Sequence, residues 1–281
     1  MATLPGQGLA RSFEVMPVFW RLACTLVSGW LFLASPAESG LRYHAQVELP
    51  ENLSVNVWVE GDRARLEIQS SDQPNLAAGT ALLTADRGEN LIVLDSAKQE
   101  FFSLAHDVIA RFKKRDAERL HITCSPISSE TFAEDSGPVL VGYPTRHLRF
   151  HIRMAARQPT ASGAVITQID LFEHFWLTAE LPERNTDLAM LSDSLGTGFP
   201  ELDEFLRSQL RDLPGFVLKR NLVLTSDDSL HNHQVLRAGY TVTEVAATDT
   251  PPSLFQVPGE FHMRVPRGAQ AQPPAPQPAR P

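Results

Sequence analysis

The chain is poor in cysteine, and this limits how its fold can be held together. It has two cysteines in 281 residues, Cys24 and Cys124. Cys24 lies in an apolar segment near the start of the chain that we expect to be cleaved off, so Cys124 alone would remain. A single cysteine cannot form an internal disulfide, which leaves the hydrophobic core to stabilise the fold. A reactive thiol would need a neighbouring base, and the nearby His121 would point to the opposite face of the strand. We therefore interpret Cys124 as a small apolar residue of a strand.

Positive charge is also scarce. The chain has 25 lysines and arginines against 33 aspartates and glutamates, and its net charge is −8. Nucleic acids and anionic membrane surfaces attract basic patches, so this balance argues against nucleic acid as a partner. The G-x-S-x-G motif of serine hydrolases is missing as well. We therefore expect a non-enzymatic protein without a cofactor.

A long apolar run is the third feature that the chain lacks. The run Leu22–Ala34 is shorter than the roughly 20 residues that span a bilayer. It follows Arg11 and Arg21 and precedes the small residues of SPAESG, a pattern typical of a secretory signal peptide. We predict a cleavable signal peptide over residues 1–37 and a periplasmic location. An uncleaved membrane anchor is the alternative.

The most regular pattern begins at His147. Apolar residues occupy every second position: Leu148, Phe150, Ile152 and Met154. Polar residues occupy the positions between them: His147, Arg149, His151 and Arg153. A period of two predicts an antiparallel strand with one buried face, so we expect the polar set on a solvated outer face.

Similar patterns predict strands along most of the chain. They cover Leu41–Leu49, Val55–Glu60, Ala64–Gln69, Thr80–Thr84, Leu91–Asp95, Glu100–Ser103, Ile122–Ser125, Val139–Gly142, Leu148–Met154, Ala164–Leu181, Val217–Thr225 and Gln234–Ala247. Short turns rich in glycine, aspartate and asparagine separate many of them, which is typical of neighbouring antiparallel strands.

Two helices are predicted. The first covers Ala105–Leu120, with an apolar face and a solvated basic face; the apolar residues are Val108, Ile109, Phe112 and Leu120. The second begins at Pro200, where a missing amide proton costs nothing, and ends before Pro214. Its apolar stripe includes Leu202, Phe205 and Leu206.

Together these elements predict a mainly β (α+β) fold. Strands do not alternate with helices, which excludes a doubly wound parallel sheet. We expect a strongly curved antiparallel sheet that forms an unclosed β-barrel with two capping helices, over residues 38–262. The segment 263–281 is rich in proline, alanine and glutamine, and we expect it to be a disordered tail.

The order of several segments also resembles a known family. They are VWVEGDRARLEI (Val57–Ile68), ALLTADRGENLIVLDSAKQEFFSL (Ala81–Leu104), FWLTAEL (Phe175–Leu181) and the closing SLFQVP (Ser253–Pro258). This order is similar to that of a domain of unknown function related to the periplasmic lipoprotein carriers of the LolA/LolB type. The resemblance implies an unclosed barrel whose apolar cavity accommodates acyl chains. It transfers no individual binding residue.

This reasoning leads to a specific site hypothesis. If the sheet and the second helix enclose a cavity, its candidate lining residues are Leu148, Phe150, Ile152, Trp176, Leu202, Phe205 and Leu206. The same residues could instead form an ordinary hydrophobic core, since apolar periodicity marks burial. The expected ligand is a lipid or the acyl chain of an acylated protein, and we expect the protein to be a monomer.

Two alternative functions stay open. The first is an envelope scaffold or interaction module that binds a protein partner and no lipid. The second is a metal-dependent hydrolase, for which the candidate ligands are Asp227, Asp228, His231 and His233. We favour a polar hairpin loop for that segment, because two histidines do not by themselves make a metal site.

Overall fold

The protein's structure, a computed structural model, describes the backbone of residues 40–48, 52–72, 76–194, 197 and 199–264 and, outside 192–194, their side chains. The predicted signal peptide (1–37) lies outside these residues, as do residues 265–281 of the predicted tail (263–281). The predicted start of the disordered tail is wrong, because Met263 belongs to a strand and the Arg264 amide donates to the Phe101 carbonyl at 2.7 Å.

The described residues form thirteen strands. The first six are β1 (Gly40–Glu48), β2 (Asn52–Glu60), β3 (Arg63–Ser71), β4 (Thr80–Thr84), β5 (Asn90–Asp95) and β6 (Glu100–Ala105). The others are β7 (Thr123–Cys124), β8 (Ser128–Glu134), β9 (Arg146–Thr160), β10 (Gly163–Thr178), β11 (Phe216–Asp228), β12 (His233–Thr248) and β13 (His262–Met263). All of them belong to one sheet.

The strands are ordered β13-β6-β5-β4-β3-β2-β1-β12-β11-β10-β9-β7, and β8 also pairs with β9. Every pair is antiparallel except β13 with β6. The sheet is large, curved and unclosed, so the prediction of a mainly β fold with an open curved sheet is confirmed. β1 lies in its interior, where Tyr43 is opposite Val57 of β2 and Val47 is opposite Tyr240 of β12.

Three α-helices and one 3₁₀ helix accompany the sheet in the described residues. They are α1 (His106–Arg119), α2 (Thr186–Ser194), α3 (Pro200–Arg211) and the 3₁₀ helix at Pro252–Phe255. The positions of α1 and α3 confirm the two predicted helices, whereas the sequence patterns do not predict α2. None of these helices is both long and apolar enough to cross a membrane.

The predicted apolar face of α1 is confirmed only in part: Val108 and Ile109 are half-buried, whereas the other two residues are exposed. Phe112 is 63% exposed and Leu120 44% exposed, and α1 has no buried residue. Because α1 packs beside β6 and α3, its half-buried side also includes Lys113, which forms an ion pair of 2.9 Å with Asp203 of α3.

Most buried side chains lie on one face of the sheet, here called the inner face. Its largest fully buried side chains include Tyr43, Leu66, Ile68, Ile152, Ile169, Leu171, Phe175 and Phe216, joined by Met190 of α2 and Leu202 of α3. Each such side chain contributes about 1.5–3 kcal/mol relative to an exposed one. This inner core connects β1–β3 and β9–β12 with α2 and α3.

A smaller cluster lies on the opposite, outer face of β4 and β5. Leu83 and Leu94 are buried there against Val257 and Phe261. The chain leading to Val257 is held in place on β3, where the Arg65 guanidinium donates to the Leu254 carbonyl at 3.3 Å. The closing SLFQVP segment is therefore a cover for the outer face.

One predicted strand is wrong. Val139–Gly142 contains a tight turn instead, in which Val141 and Gly142 have φ values of +52° and +86°. Leu140 and Tyr143 exchange two backbone hydrogen bonds of 2.9 and 2.8 Å across it. Two consecutive positive φ angles are typical of a two-residue hairpin turn, and glycine at 142 accepts one of them without strain. Conversely, the sequence patterns do not predict strand β8, which is formed.

Candidate functional site

The predicted inward residues of β9 form a wall of the inner core. Phe150 and Ile152 are buried, and Leu148 is partly buried against them. Phe150 meets the ring of Phe175 edge to face, with 5.8 Å between the ring centroids. Their burial is confirmed, whereas a role in binding a ligand stays a prediction.

The prediction that Trp176 belongs to this inward set is wrong. Trp176 lies opposite His147 in the register of β9 and β10, and therefore on the outer face. Its ring stacks on His147 at 4.7 Å, and the Lys219 ammonium lies 5.2 Å from its centroid. The reason is strand alternation: the preceding residue, Phe175, takes the inward position and is fully buried.

The outer face of β9 is less solvated than the sequence predicts. His147 Nε2 lies 3.0 Å from His174 Nδ1, and its other ring nitrogen lies 3.3 Å from Glu134 of β8. His151 stacks on Phe172 at 4.2 Å. Burial, followed by the nearby charge of His147, lowers the pKa of His174. The prediction of a solvated histidine face is wrong because β8 pairs with β9 and the rings cover one another.

The helix residues of the hypothesis are buried or half-buried, but they lie behind another helix and not directly against the sheet. Leu202 and Leu206 of α3 are buried and Phe205 is half-buried. α3 packs on α2 and α1, whereas α2 lies against β2 and β3. Thus α2 makes the closer approach to the sheet, and its buried Leu188 and Met190 fill the inner face.

A buried carboxylate anchors α2 to the sheet. Asp187 accepts hydrogen bonds from the hydroxyl groups of Tyr43 in β1 and Tyr240 in β12, the latter at 3.0 Å. Burial raises the pKa of Asp187 to about 6, against an opposing effect of the two hydroxyl donors. Burial, followed by the charge of Asp187, raises the pKa of Tyr43 and of Tyr240 well above the ordinary value. Both phenols therefore stay protonated and act as donors.

A second buried carboxylate lies on the inner face of β10. Glu173 Oε1 accepts from Arg220 Nε at 2.6 Å and lies 2.5 Å from its Nη2. Burial raises the pKa of Glu173, and the Arg220 charge offsets part of this effect. His174 lies on the outer face, so these two neighbours point to opposite sides of the sheet and cannot act together as an acid–base pair.

A cavity of about 680 Å³ opens where the inner face ends. We call it the end cavity. Its apolar lining residues are Phe199, Leu224, Val235 and Leu236, and its polar ones are Thr167, Thr197, Ser226, Asp228, Asn232 and Gln234. In the register of β11 and β12, Leu224 is opposite Leu236 and Ser226 opposite Gln234. The apolar pair is therefore deeper, and the polar residues lie towards the strand ends.

Exposed apolar side chains adjoin this opening. Ile166 is 43% exposed, Leu230 65% and Val235 45%. Backbone hydrogen bonds connect the tip of β10 with the β11–β12 hairpin, since the Ser229 amide donates to the Ile166 carbonyl at 2.8 Å. The strand end and hairpin beside the end cavity thus carry exposed apolar side chains, of which Val235 lines the cavity.

The candidate metal ligands lie on that same hairpin but do not converge. Asp228 accepts from the amides of Leu230 and Asn232 at 2.8 and 2.9 Å, so its carboxylate stabilises the turn. Asp227 lies 2.7 Å from His233 Nδ1. In the part of the chain that the structure describes, no three histidine, cysteine or acidic residues are placed to hold one ion.

Cys124 lies half-buried in β7. Burial, followed by the nearby Glu201 carboxylate, raises the pKa of its thiol to about 11. The thiol is therefore protonated at neutral pH and is a poor nucleophile, because the thiolate is the reactive form.

Comparison with known proteins adds little to this description. No protein-family model matches the chain, and no curated protein matches it. The solved structure of an uncharacterized conserved protein from Thermus thermophilus aligns with 81% of this chain and 90% of that chain, at 9% identity and a TM-score of 0.34. A likeness of that degree carries no argument about function.

Proposed function

We propose that the protein is a non-enzymatic, exported envelope protein that binds a lipid or the acyl chain of a lipoprotein in the end cavity. In this proposal α2 and α3 cap the open side of the half-barrel. The observation that carries it is the end cavity itself, with Leu224, Leu236 and Phe199 at its apolar part and polar residues at its rim.

The size and the lining of the end cavity suit such a ligand. Its volume of about 680 Å³ falls within the usual range for small-molecule sites. An acyl chain gains about 0.8 kcal/mol for each methylene group that it buries. The polar rim, which includes Asn232 and Gln234, would face the polar end of an amphiphile.

The surroundings of the cavity also support the proposal. Exposed Ile166, Leu230 and Val235 lie on the strand end and hairpin beside the cavity, where they would contact a lipid surface during transfer. The predicted signal peptide and the resemblance to lipoprotein carriers agree with export and with acyl-chain binding. In the described residues, no group of three potential metal ligands converges, so the geometry gives no support to a metal-dependent hydrolase.

Uptake of a fluorescent fatty acid by delipidated protein tests the proposal. Ser226→Phe places a ring on the inner face, inside the end cavity, because Ser226 pairs with the buried Ile169. Val223→Phe places the same ring on the outer face, opposite Arg237 and away from the cavity lining, so it is the matched control. We expect the wild type and Val223→Phe to bind the probe and Ser226→Phe to lose at least about tenfold in affinity, with similar melting temperatures for all three.

Native mass spectrometry of the purified protein gives an independent readout, since bound lipid adds a discrete mass. Absence of probe uptake by the wild type, or equal uptake by both variants, would refute binding in the end cavity. The interaction module would then be favoured, because β8 pairs with β9 alone in the described residues and all its residues are exposed.

A further inference from the structure

A second cavity lies at the other end of α2. It has a volume of about 230 Å³ and is enclosed by residues 182–189, by the end of α3 and by the first residues of β11. The turn at Gly61–Asp62 and the β4–β5 turn complete its wall. We call it the arginine cavity, because Arg87, Arg184, Arg207 and Arg211 all line it.

The four arginines come from three separate parts of the chain. Arg87 belongs to the β4–β5 turn, Arg184 to the segment before α2, and Arg207 and Arg211 to one side of α3, four residues apart. Arg207 is 3% exposed, and its guanidinium donates to the Gly88 carbonyl at 3.3 Å. This concentration is unusual in a chain whose net charge is −8.

Carboxylates lie close to three of these arginines. Asp62 forms an ion pair with Arg87. Glu89 offers a single oxygen, Oε1, to both Arg207 and Arg211, each at 3.2 Å. One carboxylate thus serves two guanidinium groups.

Arg184 differs from the other three. Within the described residues it donates to the Arg211 carbonyl at 3.5 Å and has no carboxylate within 4.0 Å. Its neighbour Glu183 also lines the cavity, where its carboxylate accepts from the Gly61 amide at 3.0 Å. The guanidinium of Arg184 can therefore turn to an anion in the cavity without breaking an ion pair.

We propose that the arginine cavity binds a phosphate group. Guanidinium groups recognise phosphate through paired hydrogen bonds, and a dianion would bind Arg184 and Arg211 together, since Arg184 donates to the Arg211 carbonyl and the two lie side by side. The apolar residues Leu188 and Leu213 also line the cavity, so they would contact the organic part that carries the phosphate.

Two sources offer this chemistry: a soluble phosphate ester and the headgroup of a phospholipid. The arginine cavity and the end cavity share no lining residue, so either site can fail without the other. The soluble phosphate probes have no acyl chain, which makes the two outcomes distinguishable.

Calorimetric titration of the full chain with inorganic phosphate and with glycerol 3-phosphate tests the soluble source. Co-sedimentation with vesicles of phosphatidylglycerol, compared with phosphatidylcholine, tests the headgroup. Arg184→Gln and Arg211→Gln remove exposed guanidinium groups and should leave the fold intact, which circular dichroism would verify. Arg146→Gln is the control, since Arg146 is a similarly exposed arginine on β9, outside the cavity.

We expect Arg184→Gln and Arg211→Gln each to weaken binding about tenfold, because each removes a charged hydrogen-bond donor. Glu89→Gln should instead strengthen it several-fold, since it removes the carboxylate that competes with the phosphate for Arg211. Arg146→Gln should change affinity by less than about twofold.

Binding of either phosphate compound supports a soluble ligand, and binding of phosphatidylglycerol vesicles alone supports a headgroup. No binding of any probe at millimolar concentration, or equal weakening by Arg146→Gln, would overturn the proposal.

Discussion

Two carboxylates in the inner core are fully buried, and each is held by a different kind of partner. Asp187 accepts from two phenols, whereas Glu173 pairs with a guanidinium. Burying a charge is costly unless hydrogen bonds compensate it. The partners of Asp187 belong to β1 and β12, so this residue fixes where α2 lies on the sheet.

Asp187 should make stability fall as pH rises through the mildly acidic range. Its pKa is about 6 in the folded protein and 3.8 in an unfolded chain, so the folded state favours the protonated form. This contribution is complete below about pH 4 and is lost as pH rises through about 6. The difference corresponds to about 3 kcal/mol. Urea unfolding between about pH 4 and pH 7, compared between the wild type and Asp187→Asn, measures it.

Asparagine has nearly the same shape as aspartate but does not titrate. The free energy of unfolding of Asp187→Asn relative to the wild type should therefore increase across this pH window. A constant difference between the two proteins throughout the window would show that Asp187 has an ordinary pKa. The comparison also removes the contribution of all other carboxylates, which both proteins share.

The helices α1 and α2 contrast in how well sequence predicts them and in how deeply they are buried. The sequence predicts α1 from an apolar face opposite a basic one, yet none of its residues is buried. α2 carries no apolar stripe that stands out, because polar Thr186 and Asp187 are buried alongside Leu188 and Met190. A helix enclosed on several sides has little amphipathic signal, and periodicity therefore misses it.

Shortening a side chain of α2 should destabilise the protein far more than shortening one of α1. Met190 is 1% exposed, and Met190→Ala should reduce the free energy of unfolding by about 2–5 kcal/mol. Phe112→Ala removes a larger side chain from an exposed position of α1 and should cost less than about 0.5 kcal/mol. Urea unfolding of both variants at one pH compares them. Similar small losses would show that α2 is not part of the core.

Alternation predicts most strands because one face of the sheet is buried along nearly its whole length. It fails where local backbone geometry decides the structure, as in the turn at Val141 and Gly142. It also fails at Trp176. Side chains alternate along β10, and this alternation places Trp176 on the outer face although the residue is apolar. Burial of Phe150, Ile152 and Leu202 is predictable from the pattern of apolar residues.

Neither cavity can be predicted from sequence, since both are formed by distant segments. The end cavity needs the tips of β10, β11 and β12 together with Phe199. The arginine cavity needs residues as far apart as Gly61 and Val217. The pairing that brings such segments together passes through β1, which lies between β2 and β12 and so joins the beginning and the end of the described chain.

Because β1 pairs on both sides, the two halves of the sheet should unfold together. The inner core passes without interruption from Val57 in β2 through Tyr43 in β1 to Tyr240 in β12 and Phe175 in β10. Opening either half would expose the side chains of the other, so a single cooperative unit is expected for the predicted domain, residues 38–262. Hydrogen–deuterium exchange with mass spectrometry measures the free energy of opening for peptides of β2 and β10. The slowest amides of the two strands should agree within about 1 kcal/mol. A lasting difference of more than about 2 kcal/mol would instead divide the sheet into two units.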